Sequence, residues 1–328
     1  MRLLSMLLVM GFGLLAHASS SPPPNGSGIG GKSFLYAGQW DYRKEMQTLF
    51  VVRKGQIDWT YQIPLKDGDG NIQEFSDASL LANGNVLIAY MQGARLIGPD
   101  KRTIWEYEAP EGFEIHVAQP VGSDRALIVR NGNPARALLV NTATNETLKE
   151  VELPTGNPQF THGHFRRVRV TEEGTLLATH LDWNKVAEYD WDGNRIWELA
   201  VLSPWGAERL QNGNTLVSSN RGFVREYSPD GEVVWELNQS DVKDYRLFGP
   251  QEAHRLANGN TLISFWCPGE LKDPEEWKGT LQALEVTPEK SEVWALRSWD
   301  GEFDLGPATC IQLLDEPFPD SRFETIDF

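Results

Sequence analysis

The chemistry of this chain centres on five histidines outside its N-terminal apolar segment: His116, His162, His164, His180 and His254. Imidazole titrates near neutral pH, so it can act as a nucleophile, a general base or a metal ligand. His164 and His254 are the candidate catalytic residues. A role in structure alone is the alternative for each histidine, since an imidazole at the start of a strand often hydrogen-bonds a neighbouring segment.

Side chains that hydrogen-bond or stack on a ligand accompany these histidines. Guanidinium groups bind sulfate and carboxylate, and indoles present a large flat apolar face with one polar atom. The predicted ligand-binding residues are Trp40, His116, Arg130, Asn131, His162, Arg166, His180, Asn220, Arg221, Glu252 and Trp266. Pairing of the arginines with nearby acidic residues is the structural alternative.

Metal binding is a less favoured interpretation of the same histidines. His162 and His164 are two residues apart, which places both rings on one side of an extended strand. The spacing matches no specific metal motif, so we predict no resident metal and no cofactor, with a divalent ion as the weaker alternative.

Two recurring hairpins indicate which elements position these side chains. The first consists of a strand, an Asn-Gly turn and a second strand, at Ser79–Tyr90, Glu208–Ser219 and His254–Phe265. Asn-Gly between alternating apolar residues is a strong hairpin signal, because both turn positions adopt positive φ. The second hairpin ends in a strand with tryptophan, at positions 59, 105, 197, 235 and 294. We expect these five indoles to pack between neighbouring repeats.

Six copies of this unit recur about every 47 residues, a period typical of four-stranded propeller blades. The first copy begins at its second strand, Phe34–Gly38, and Ala308–Glu316 aligns with the missing first strand. The sequence therefore predicts an all-β, six-bladed β-propeller over residues 33–316, closed by the C-terminal strand acting as strand A of blade 1. Residues 317–328 form a C-terminal tail.

The topology of a blade predicts where the histidines meet. When strands are lettered A to D from the centre outward, the loops that enter A and leave B open on one face of the ring. His116, His162, His164 and His254 are placed at the beginnings of A strands, and His180 at the end of a B strand. We therefore expect one funnel on that face, lined by imidazole, guanidinium and indole groups.

The alternation of LxNGNTLI with PDGxVVWE resembles the PQQ-like and arylsulfotransferase-like propeller repeats of exported bacterial proteins, over residues 33–316. Quinoprotein dehydrogenases of this type have eight blades, so bound PQQ is not expected. Arylsulfate sulfotransferases have six blades and central histidines, but also an additional N-terminal β-sandwich that is not expected here. No individual catalytic histidine is assigned by the resemblance.

The N terminus and the overall charge limit where the protein acts and what it binds. Residues 1–18 combine Arg2, an apolar run and Ala16-His17-Ala18, which predicts a signal peptide and a periplasmic or secreted protein. Residues 19–32 read as a flexible linker. The apolar run is too short for a membrane span. A net charge of −16 disfavours nucleic acid as a partner, and we expect a monomer.

Three classes of function remain open at this stage. The favoured one is binding of an anionic or carbohydrate-like small ligand in the funnel, because no motif specifies a reaction. The second is a histidine-dependent enzyme, either an arylsulfotransferase-like transferase or a lyase or hydrolase of acidic sugars. The third is a scaffold for protein partners. A disulfide between Cys267 and Cys310 across the ring seam is one alternative for the two cysteines, and free thiols are the other.

Overall fold

A computed structural model describes residues 28–323 and residue 326. The predicted signal peptide at 1–18 and most of the predicted linker at 19–32 lie outside the described residues. Within the described part of the chain, no helix has the length and apolar composition needed to cross a bilayer.

The described part of the chain contains twenty-four β-strands. The first twelve are β1 (Phe34–Gly38), β2 (Met46–Arg53), β3 (Gln56–Pro64), β4 (Phe75–Leu80), β5 (Val86–Tyr90), β6 (Gly93–Ile97), β7 (Thr103–Glu108), β8 (Glu114–Val121), β9 (Arg125–Asn131), β10 (Ala135–Asn141), β11 (Thr147–Leu153) and β12 (Phe165–Val170). The others are β13 (Leu176–His180), β14 (Lys185–Tyr189), β15 (Arg195–Ala200), β16 (Pro204–Arg209), β17 (Thr215–Ser219), β18 (Phe223–Tyr227), β19 (Val233–Asn238), β20 (Pro250–Arg255), β21 (Thr261–Phe265), β22 (Ala283–Val286), β23 (Glu292–Leu296) and β24 (Ala308–Leu313).

Helical segments are short and lie in the connections. One turn of α-helix spans α1 (Pro274–Trp277), and 3₁₀ turns span Ile29–Gly31, Thr161–Gly163, Leu181–Trp183, Gly301–Phe303 and Pro319–Arg322. The Asp273 side chain accepts a hydrogen bond from the Glu275 backbone N–H and so caps α1.

The strands form six antiparallel sheets of four, which confirms the predicted six-bladed β-propeller. The first sheet has the order β24-β1-β2-β3, so the C-terminal strand supplies the inner strand of blade 1 as predicted. Phe34 pairs with Leu313, and Ala37 pairs with Cys310. This pairing closes the ring and covers the inner edge of the N-terminal strand.

Apolar side chains pack between neighbouring blades. Leu35 and Leu49 of blade 1, for example, share one buried cluster with Phe75 and Ile88 of blade 2. The outer-strand tryptophans add a repeated polar contact. Indole N–H groups of one blade donate to the turn between the two outer strands of the next, from Trp59 to Pro99, Trp105 to Asn145, Trp197 to Pro229 and Trp235 to Pro288. The expected packing of these indoles between repeats is confirmed.

Every inner strand carries a β-bulge near its beginning. A bulge adds a residue to one strand of a pair and redirects the neighbouring side chains. The residues at the six bulges are Ser76, His116, Arg166, Arg167, Trp205, Gln251, Glu252 and Thr309. The repeat therefore places a ring of mostly polar side chains around the central channel of the propeller. This ring lies close to the face where the inner strands begin, and we call that face the histidine face.

The two cysteines are free thiols, so the alternative of a disulfide across the seam is wrong. Cys310 is buried in the cluster between blades 1 and 2. Cys267 is buried in a separate cluster with Trp277 and Trp299, beyond the end of β21. Their side chains pack in different parts of the core, because Cys310 lies on β24 and Cys267 lies in the connection that follows β21.

Candidate functional site

Five polar side chains form a connected group at the histidine face, which we call the histidine cluster: Glu74, Glu114, His116, His162 and Arg166. His116 Nε2 donates to Glu114 Oε2 over 2.7 Å, and His162 Nδ1 donates to the same oxygen over 2.8 Å. Arg166 Nη2 donates to Glu74 Oε1 over 2.8 Å, and its Nη1 lies 3.1 Å from His162 Nε2. One network thus joins the inner strands of blades 2, 3 and 4.

The two carboxylates of this cluster are ionised at neutral pH. Burial alone would raise the pKa of Glu74, but the charge of Arg166 and a hydrogen bond from His116 hold it well below its usual range. Burial also acts to raise the pKa of Glu114, and hydrogen bonds from His116 and His162 outweigh it and lower the value to about 2. The cluster therefore contains two negative charges beside one guanidinium.

Indole groups surround the cluster, and several polar atoms there have no protein partner. Trp40 stacks on His162 at 6.2 Å between ring centroids and meets Trp266 edge to face at 5.5 Å. The Arg166 guanidinium lies 4.4 Å above the Trp205 ring. Among the described residues, these buried atoms of this face accept or donate no hydrogen bond: Gln39 Oε1, Trp40 Nε1, Trp205 Nε1 and Gln251 Oε1. We call these four residues together with Trp266 the aromatic rim.

Glu74, His116 and His162 bring one potential metal-ligating atom each to within 4.8 Å of one another. Arg166 fills the space that a cation would need, because its Nη1 lies 3.1 Å from His162 Nε2 and 3.4 Å from His116 Nδ1. A guanidinium and a divalent ion compete for the same lone pairs and repel each other. The donor set is therefore better matched to the arginine that it already holds than to a metal.

His164 and His180, both predicted to face the funnel, lie instead inside blade 4. His164 is fully buried, and its Nε2 donates to the backbone oxygen of Asn157 over 2.8 Å. His180 is fully buried with Nε2 2.9 Å from the Tyr189 hydroxyl. Burial, followed by the charge of Lys185, lowers the pKa of His180 to about 3, so the ring is neutral. Neither position supports direct contact with a ligand.

The other residues predicted at this face differ in the groups that they contact. Arg130 donates to Glu150 over 3.2 Å, and Asn131 donates to the backbone oxygen of Phe165, so both join parts of the scaffold. Asn220 accepts a hydrogen bond from Gln251 Nε2 at the aromatic rim. Arg221 is exposed, and within the described part of the chain its guanidinium has no ion-pair partner.

His254 and Glu252 lie deeper than the sequence predicts. Strand β20 begins at Pro250, so His254 is near its end and not at its beginning. The turn signal Gly249-Pro250 marks this start, and the predicted start lies about four residues later because it follows the Asn-Gly hairpin unit that begins at His254. Both residues line a cavity of about 880 Å³ that opens at the opposite face, among the turns that join the A and B strands. We call this the hairpin face.

A second polar group, the ion-pair layer, consists of Asp77, Arg167, Arg169 and Glu252 at the inner end of this cavity. Arg167 Nε donates to Glu252 Oε1 over 2.5 Å, and Arg169 Nη2 donates to the same oxygen over 2.9 Å. Arg169 Nη1 also donates to Asp77 Oδ2 over 2.8 Å. The layer joins blades 2, 4 and 6 across the channel.

Several residues of these groups were missed by sequence reasoning. Glu74 and Glu114 stand at equivalent positions, each directly before the bulge of its inner strand, and this recurrence in neighbouring repeats was an available signal. Gln39 and Gln251 contribute through atoms that lack partners. No sequence pattern marks that property, since it depends on which neighbouring blade supplies a partner.

The architecture and the polar ring define a six-bladed β-propeller with a histidine-bearing face. A crystal structure of a protein of unknown function from Bacteroides caccae is similar to it, with a TM-score of 0.73 and 25% identity over 87% of this chain and 99% of that one. A streptogramin B lyase matches with a TM-score of 0.52 and 11% identity, over 80% of this chain and 82% of that one. Virginiamycin B lyase from Staphylococcus aureus matches at 0.51 and 12%, over 79% and 83%.

The similarity to the two lyases shows a common fold alone, because the sequence identity to each of them is well under 25%. No protein-family model matches the chain, and no curated protein matches it. The propeller resemblance stands at the level of the fold, and membership of the PQQ-like or arylsulfotransferase-like repeat family stays a prediction.

Proposed function

We propose that this chain is an exported binding protein whose histidine face holds a neutral, polyhydroxylated ligand of carbohydrate type. The observation that carries the proposal is the set of buried polar atoms without partners beside two half-buried indoles. Buried polar groups without hydrogen bonds are costly and uncommon, so a group of them at one face calls for a polar partner.

The aromatic rim has the chemistry that sugar binding requires. Trp40 and Trp266 offer half-buried apolar faces on which the C–H surface of a sugar ring packs. The indole N–H of Trp40 is buried without a partner and would donate to a hydroxyl through a bridging water. Gln39 Oε1 and Gln251 Oε1 are buried acceptors beneath these rings, and a bridging water would connect them to the hydroxyl groups of the ligand. Donors, acceptors and flat apolar faces at one place favour a polyhydroxylated ligand over a purely apolar one.

A neutral ligand is favoured over an anionic one by the charges around the rim. Arg166 is committed to Glu74 and His162, and Arg130 to Glu150. Ionised Glu74 and Glu114 would repel a sulfate or a carboxylate placed near the histidine cluster. Arg221 is the predicted arginine left to attract an anion, and its exposure to solvent weakens that attraction.

Isothermal titration of the mature protein with neutral and acidic oligosaccharides tests this proposal. Cello-, malto- and xylo-oligosaccharides are the neutral probes, and oligogalacturonates are the acidic ones. We expect a neutral series to bind, and Trp266→Ala to weaken that binding at least tenfold, the loss of one stacking face. Trp59→Ala, which removes an indole from an outer strand, is the matched control and should leave the affinity unchanged.

Two results would contradict the proposal. One is binding of oligogalacturonates with no response to any neutral series. The other is equal affinity of the unmodified protein and Trp266→Ala for a ligand that binds, provided that both proteins show the same thermal unfolding temperature.

A histidine-dependent enzyme is the second candidate, and one observation favours it. The side chain of His162 is 35% exposed, its Nδ1 is held by Glu114, and its Nε2 faces a guanidinium. A carboxylate that orients an imidazole is a common arrangement for a general base. The catalytic candidate is therefore His162 instead of His164 or His254. Because Arg166 already contacts Nε2, this nitrogen is less free to accept a proton, and we favour the binding protein over the enzyme.

Turnover of aryl sulfates and of uronic-acid oligosaccharides tests the enzyme. His162→Gln should abolish any such activity, whereas His164→Gln, a change inside blade 4, should retain it. Full activity of His162→Gln would remove this candidate.

A further inference from the structure

The cavity at the hairpin face is separate from the histidine cluster and does not depend on the function proposed for it. It has a volume of about 880 Å³, within the range of small-molecule sites. All six inner strands contribute to its wall, through Ala78, Gln119, Arg169, Glu208, His254 and Gln312. The ion-pair layer forms its inner end.

Most charged groups at the inner end are already committed to one another. Arg167 donates to Glu252, and Arg169 donates to both Asp77 and Glu252. Each guanidinium therefore has a carboxylate partner at hydrogen-bond distance, and an incoming anion would have to displace it.

His254 differs from these arginines. Its Nδ1 lies 3.5 Å from Glu208 Oε2, and its Nε2 lies 3.8 Å from Glu252 Oε2, both longer than a good hydrogen bond. Its side chain is 39% accessible within the cavity. Glu208 also accepts from the Arg255 backbone N–H, and Glu252 is bound by two arginines. The Nε2–H group is thus a donor available to a ligand.

The charge of His254 suits an anionic acceptor. Burial acts to lower its pKa, but interactions with Glu208 and Glu252 outweigh burial and raise the value to about 9. The other charged groups at this end of the cavity are Asp77 on β4, Glu208 on β16, Glu252 on β20 and the two arginines on β12. Together with His254, three cationic side chains thus face three carboxylates here, whereas the histidine cluster has one guanidinium beside two carboxylates. At neutral pH the ring is an imidazolium, and a hydrogen bond from it to a carboxylate is charge-assisted.

The outer part of the cavity combines apolar side chains with polar ones such as Glu172, Asn212 and Glu316. Side chains from three turns and the C-terminal segment line it: Leu210, Leu256, Pro288, Pro319 and Phe323. We propose that the cavity binds a small amphipathic organic acid, with the carboxylate at His254 Nε2 and the apolar body between these side chains. The charged inner end and these five apolar side chains match the two halves of such a ligand.

Calorimetric titration with benzoate, octanoate and benzamide tests this site in the mature protein. Benzoate or octanoate should bind, and His254→Gln should weaken that binding at least tenfold through loss of the charged donor. Trp266→Ala, at the other face, should leave it unchanged. Failure of the oligosaccharide titration would not affect these results, since the two sites share no residue.

Benzamide provides a test that needs no variant. It has nearly the shape of benzoate without the charge, so the unmodified protein should bind it at least tenfold more weakly. Equal binding of benzoate and benzamide, unchanged binding by a folded His254→Gln, or no binding of either acid at millimolar concentration would overturn the proposal.

Discussion

Arg166 and Arg167 are neighbours in the chain and belong to two different networks. Arg166 reaches Glu74 of blade 2 in the histidine cluster, and Arg167 reaches Glu252 of blade 6 in the ion-pair layer. Two adjacent residues of a regular strand point to opposite sides of the sheet, yet both of these are buried toward the channel. The bulge between Phe165 and Val168 makes this possible.

The two networks differ in how completely their hydrogen-bonding groups are used. The ion-pair layer pairs two arginines with two carboxylates and links three alternate blades across the channel. The histidine cluster has a partly exposed His162 and neighbours the unpartnered atoms of the aromatic rim. The first network joins separate blades of the ring, and the second lies beside polar atoms that have no protein partner.

The largest expected effect on stability comes from the ion-pair layer. Glu252→Gln removes the carboxylate shared by Arg167 and Arg169 and leaves buried positive charge without compensation. We expect the free energy of unfolding to fall by about 3–5 kcal/mol, measured by urea denaturation. Glu114→Gln in the more exposed histidine cluster is the comparison and should cost less. An equal or larger loss in Glu114→Gln would remove the distinction between the networks.

Acid should act on the histidine cluster through Glu114. Its folded pKa of about 2 lies below the ordinary value of 4.5, so it contributes stability above pH 4.5 that is lost as pH falls through 2. Unfolding midpoints measured from pH 5 to 2 should fall less steeply in Glu114→Gln than in the unmodified protein. Parallel curves for the two proteins would contradict this assignment.

Alkali should act on the cavity through His254. Its folded pKa of about 9 lies above the ordinary value of 6.5, so its contribution is complete below pH 6.5 and is lost as pH rises through 9. Thermal unfolding from pH 6 to 10 should show this decline, and His254→Gln should flatten it. A decline of the same size in the variant would assign the effect to other groups.

The smallest of these effects is expected at Ser76. Its hydroxyl donates to Glu74 over 2.9 Å and lies 2.8 Å from His116 Nδ1. Ser76→Ala should lower the free energy of unfolding by about 1 kcal/mol, the net value of a buried hydrogen bond. Denaturant unfolding measures it, and a loss as large as that of Glu252→Gln would show that the histidine cluster is also a main structural link.

The location of His254 shows where prediction from sequence stopped. Its repeat predicts the correct blade, strand and channel, but the predicted start of β20 lies about four residues too late and therefore puts the residue at the wrong end of the strand. His164 shows a different limit. It precedes an inner strand as predicted, and the preceding 3₁₀ turn at Thr161–Gly163 directs its ring into blade 4 while His162 faces the channel.

The sequence by itself determined the architecture: six blades, the closing strand β24 and the outer tryptophans that join neighbouring blades. These features follow from local signals, namely alternating apolar residues, Asn-Gly turns and their recurrence along the chain. Only the tertiary structure decided which side chains meet at each face. The decisive contacts, Arg166 with Glu74 and Arg167 with Glu252, join residues 92 and 85 positions apart. They depend on the bulges and on the way the ring brings separate blades together, and no local pattern encodes either.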